Sequence, residues 1–81
     1  MDDGTVIGRI DELVAEEHEL FELAASGEAL TPEQLARQKD IEVHLDRLWD
    51  LLRQRRARRN AGLDPDDAIT RDAETVEHYQ Q

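Results

Sequence analysis

A helix stop and a helix start stand almost back to back in this chain, and their closeness decides most of what it can fold into. Ser26-Gly27 is the stop, because glycine takes the left-handed conformation after a last helical turn at little cost. Thr31-Pro32-Glu33-Gln34 is the start: threonine caps, proline suits the first helical position, and glutamine reaches back to complete a capping box. Leu30 and Leu35 are spaced for a hydrophobic staple across that entry. So short a connection predicts that the two flanking helices are antiparallel neighbours.

The apolar pattern agrees. Val6, Ile7, Ile10, Leu13, Val14, Leu20, Phe21 and Ala24 recur at helical rather than strand spacing. They predict a first helix over about residues 5–26, with Asp2, Asp3 and Thr5 supplying N-cap oxygens. A second helix, over about 32–60, carries Leu35, Ile41, Leu45, Leu48, Trp49, Leu51 and Leu52, and Asn60-Ala61-Gly62 ends it. The expected fold is all-α: a two-helix hairpin over 1–62, then an acidic C-terminal tail over 63–81. Asp64-Pro65-Asp66-Asp67 reads as a cap and a short turn. Ile69, Val76 and Tyr79 are too sparse for a core of their own, so the tail either lies along the hairpin or is mobile.

The apolar stripe is wider than one helix pair needs. In heptads, Ile7, Val14 and Phe21 fall at a, Ile10, Glu17 and Ala24 at d, and Leu13 and Leu20 flank at g. On the second helix Leu45 and Leu52 fall at a, Ile41 and Leu48 at d, and Leu51 and Trp49 on opposite flanks. Small cores usually need a further staple, and the chain has no cysteine to supply one. We therefore expect a homodimer, a four-helix bundle with two-fold symmetry, or else a monomer whose wide face is covered by its own tail; Leu13, Leu20 and Leu51 lie under that second copy or tail.

Composition narrows the function classes. The chain has 81 residues, twenty acids against ten bases, and a formal net charge of −10. No apolar run is long enough to cross a membrane, and the acidic start Met1-Asp2-Asp3 is followed by no signal-peptide apolar region. With no cysteine either, the expected setting is the cytoplasm, with no membrane association. No Gly-rich phosphate loop is present, and Ser26 has no His–acid arrangement nearby, so neither catalysis nor a cofactor is expected.

Three groups of polar or aromatic residues stand out. Glu17, inside the stripe, is expected near Ile41 and within reach of Gln38 or His44, as a hydrogen bond that fixes register. A sharper reading joins Glu17, His18, Glu42 and His44 into a metal–carboxylate site. Spacing argues against it, since neither histidine has a glutamate three residues before it. The run Arg53, Arg55, Arg56, Arg58 and Arg59 lies in the only basic third of the chain, net +3 over residues 31–60 against −8 and −5 on either side. Internal pairing with Asp2, Asp3, Asp11, Asp64, Asp66 and Asp67 is the favoured reading, then docking to an acidic protein surface, then nucleic acid. No aromatic platform for bases accompanies the arginines. Trp49 is expected to pack on Ile10 and Leu13 with Arg53 one turn on, or to anchor an interface.

The run Ile10 to His18, the stretch Leu45 to Arg58 and Gly62-Leu63-Asp64-Pro65-Asp66 together resemble a family of small actinobacterial proteins, domain of unknown function 2630. The likeness covers nearly the whole chain; Ala25–Leu30 matches least well. It implies a cytoplasmic bacterial helical protein and brings no activity, cofactor or ligand with it. From the residues, the expected role is a non-enzymatic interaction module acting through protein–protein contacts. The alternatives are a nucleic-acid-associated regulator and a small metal–carboxylate bundle.

Overall fold

The computed structural model describes residues 2–70, and in that span the chain is an antiparallel helical hairpin. Helix α1 runs Asp3–Ala25 and helix α2 runs Pro32–Asn60, followed by one 3₁₀ turn, Pro65–Asp67. Val76, His78 and Tyr79 lie outside the described residues. No helix of the described residues is long and apolar enough to cross a membrane.

The helix ends form where the sequence signals fall. Asp2 caps α1, its Oδ1 accepting from the Thr5 backbone N–H at 2.7 Å and from the Thr5 hydroxyl at 2.9 Å. Thr31 and Gln34 complete the capping box of α2 in both directions, at 3.1 and 2.8 Å. Gly27 and Gly62 follow the two helices at φ +92° and +75°, the left-handed region that favours glycine. At the second of these, Leu63 N–H donates to the Arg58 carbonyl and Gly62 N–H to the Arg59 carbonyl, the paired closure of a Schellman motif. That closure turns the chain back along α2, where Asp64 caps the 3₁₀ turn through the Asp66 N–H.

The core is a single seam. Val6, Ile10, Leu13 and Leu20 of α1 meet Ile41, Leu45 and Leu51 of α2, with Leu48, Leu52 and Ala68 packed against them. This corrects the heptad expected for α1. Ile10 and the half-buried Glu17 do lie on the seam, but the column beside them is Val6, Leu13 and Leu20. Ile7, Val14 and Phe21, expected at its centre, are about half exposed. Leu13, Leu20 and Leu51, expected under a second copy or the chain's own tail, are buried and belong to this seam. The physical reason is the width of the stripe: three apolar columns compete, and one partner helix covers two. Ala68, returning after α2, helps cover the column that wins.

Two changes test this packing. Leu13→Ala and Ile41→Ala, at positions with essentially no exposure, are each expected to cost about 2–5 kcal/mol in denaturant unfolding. Gly8 sits inside α1 at an ordinary helical φ, and a Cβ there would meet nothing within 4 Å. Gly8→Ala is therefore expected to stabilise the hairpin by about 0.5–1 kcal/mol, through helix propensity alone.

Candidate functional site

The arginine end of α2 forms the densest polar cluster among the described residues. Arg55 is buried. Its Nε donates to Asp3 Oδ1 at 2.5 Å, and a terminal nitrogen donates to Asp66 Oδ1 at 3.0 Å and to the Pro65 carbonyl at 3.2 Å. Arg59 takes the other side of Asp3, with contacts of 2.9 and 3.1 Å. Arg58 donates from Nε to the Asp64 carbonyl at 2.6 Å and reaches Asp67 at 3.4 Å. The cluster thus joins the first turn of α1, the last turns of α2 and the 3₁₀ turn. Hydrogen bonds from Arg59 and then Arg55 hold the Asp3 carboxyl below its usual pKa, and Asp3 and Asp66 push the Arg55 guanidinium up.

Of the acids expected to face the arginines, Asp3, Asp66 and Asp67 do so by side chain and Asp64 by its carbonyl, while Asp2 is used as the α1 cap. Arg53 lies 3.8 Å from the buried Asp50, which also accepts from Gln54 at 2.9 Å. Arg56 is exposed and makes no ion pair with the described residues.

Midway along the hairpin, Arg37 grips Glu16 with two parallel hydrogen bonds of 2.5 and 2.9 Å, lowering the Glu16 pKa and raising that of Arg37. The heptad pattern assigns this bracing role to Glu17, one residue on. Glu17 makes no hydrogen bond with the described residues. A signal for the true pair exists, since an arginine opposite an acid on the seam's edge is visible once the correct column is chosen.

The four residues of the metal–carboxylate reading are not brought together. His18 is exposed and pairs with Glu22 at 3.0 Å. His44 lines a shallow groove of about 250 Å³ with Arg9, Arg47, Leu48 and Thr70. Among the described residues, no group of three or more His, Asp or Glu is placed to hold a metal ion.

That groove also shows that the two flanks of the hairpin differ. It puts Arg9 of α1, His44 and Arg47 of α2 and the returning Thr70 on one side of the seam. Gln54 donates to the Ile69 carbonyl at 2.6 Å and so ties the returning segment there. Stepping 100° per residue around each helix places Ile7, Val14 and Phe21 of α1, and Trp49 of α2, on the opposite side. These four are 46–50 % exposed. Trp49, expected to pack inward on Ile10 and Leu13, instead stands at the edge of this open apolar flank.

The cluster has a measurable pH signature. A carboxylate whose pKa is lowered by folding stabilises the fold above its unfolded pKa and ceases to do so as pH falls through the folded value. Asp3→Asn is accordingly expected to lower the melting temperature at pH 7. The gap from the unaltered chain should close as both are titrated below about pH 4. Arg55→Gln should lower the melting temperature markedly and Arg56→Gln hardly at all, both read by circular dichroism.

The chain's likeness to known proteins spans nearly its whole length. The family model "Protein of unknown function (DUF2630)" matches residues 2–81. Uncharacterised proteins of Mycobacterium tuberculosis and Mycobacterium bovis are 43% identical to the chain over 77 residues, which cover 95% of this chain and 88% of theirs. No solved structure gives a significant match. A hairpin pinned at its arginine end, with a likeness spanning nearly its whole length, is thus a member of the DUF2630 family.

Proposed function

We propose that this chain is a non-enzymatic helical interaction module of the cytoplasm, working through protein–protein contacts at the open flank of the hairpin. The observation that carries the reading is the row Ile7, Val14 and Phe21 beside Trp49, each about half exposed in a chain this small. Contiguous apolar surface of this kind marks a contact site, and Trp and Phe are suited to anchor one. The thinness of the molecule supports it. The hairpin measures 51 × 25 × 17 Å, one helical layer, and stable domains bury their apolar faces between two.

The arginine run weighs against the phosphate-binding alternative. Arg55, Arg58 and Arg59 already hold Asp3, Asp66, Asp67 and two carbonyls, so a phosphate would have to displace contacts that close the fold. The scattered histidines give the metal–carboxylate alternative no geometry to rest on.

The test is photo-crosslinking in cells. A benzophenone side chain placed at Phe21 or at Trp49 is expected to trap a protein, and one at the exposed Glu12, on the groove side, is not. Failure of both open-flank positions to trap any protein, this chain included, would overturn the reading.

A further inference from the structure

Residues 63–70 are held to the hairpin by charge, whereas the two helices are held to each other by apolar burial. The two large apolar side chains of the segment stand in solvent, Leu63 at 53 % exposure and Ile69 at 70 %. What it lays against the core is Ala68, a single methyl group. The rest of its attachment is polar. Asp66 and Asp67 meet Arg55 and Arg58, and the Asp64, Pro65 and Ile69 carbonyls accept from Arg58, Arg55 and Gln54. The seam beneath buries seven apolar side chains.

This difference in kind sets an order of release. Local openings need least free energy where buried apolar contacts are few and hydrogen bonds are open to solvent. The side chains of Asp66 and Asp67 are 64 % and 69 % exposed, so water and salt compete for the guanidinium groups opposite them. What the segment lies along is apolar, the side that carries Leu51 and Leu48. When it lifts, Arg55 keeps its contact with Asp3, and the helix pair stays closed.

We infer that residues 63–70 form an electrostatic strap, which lifts from α2 as a unit while the hairpin stays folded and so uncovers Leu51 and Leu48, on the side opposite the open flank. The strap stands apart from the interaction-module reading, because it concerns the covered side and holds whatever meets the open one. Its signature is the direction of the salt effect. The segment brings three acids, Asp64, Asp66 and Asp67, to a helix end rich in arginine, so added salt screens the attraction that seats it. The chain as a whole carries −10, and screening that self-repulsion favours the compact hairpin. Salt therefore loosens the strap without loosening the seam.

Thiol labelling of the full chain under native conditions is the test, since the chain has no cysteine of its own. Leu51→Cys reports the covered side, and Ile41→Cys, in the seam with no exposure, reports unfolding of the hairpin. At low salt Leu51→Cys is expected to label at least about tenfold faster. Raising sodium chloride from about 0.05 M to about 0.5 M is expected to widen that gap about threefold. Adding Asp66→Asn at low salt should widen it as well, without speeding Ile41→Cys. If Leu51→Cys does not fold, Ala68→Cys, a small change on the strap itself, should respond to salt and to Asp66→Asn in the same way. Equal rates at the two sites, rates that rise and fall together with salt, or an Asp66→Asn that leaves the gap unchanged would each overturn the strap.

Discussion

Arg55 closes this fold. An extended apolar seam fixes how two helices lie side by side, but nothing in it stops the open end from splaying or holds the chain after α2 in place. Arg55 does both, because one planar guanidinium donates to Asp3 on α1 and to Asp66 and the Pro65 carbonyl on the returning segment. Lysine offers a point charge and no rigid fork, so it would not span these acceptors. The helix dipoles reinforce the cluster. Asp3 sits in the first turn of α1, and Arg58 and Arg59 in the last turn of α2, each opposite in sign to the end it occupies. A buried cation is costly unless its donors are met, and here the backbone carbonyl supplies what the carboxylates leave open.

Once that end is pinned, the two sides of the hairpin become unlike. The Schellman closure at Gly62 aims the chain back along α2, and the contacts of Pro65, Asp66 and Ile69 lay it over the side that carries Leu51, Leu48 and His44. The other side receives nothing from residues 2–70. Polar pinning at one end is thus what leaves Ile7, Val14, Phe21 and Trp49 open.

The hairpin is legible in the sequence because its decisive signals are local. A capping box, a proline at the first helical position and two left-handed glycines act within a few residues, and each appears where its chemistry demands. The arginine–aspartate pairing is legible in outline for a similar reason: antiparallel helices bring the start of α1 beside the end of α2. Rotation is what local signals do not carry. Val6, Leu13 and Leu20 compete with Ile7, Val14 and Phe21 for the same seam, one position apart, and local propensity is blind to a choice between them. Long-range contacts settle it, namely Glu16–Arg37 on one flank and Ala68 from beyond α2. The same misplaced rotation favours Glu17 over Glu16 as the brace, and it draws Trp49 inward.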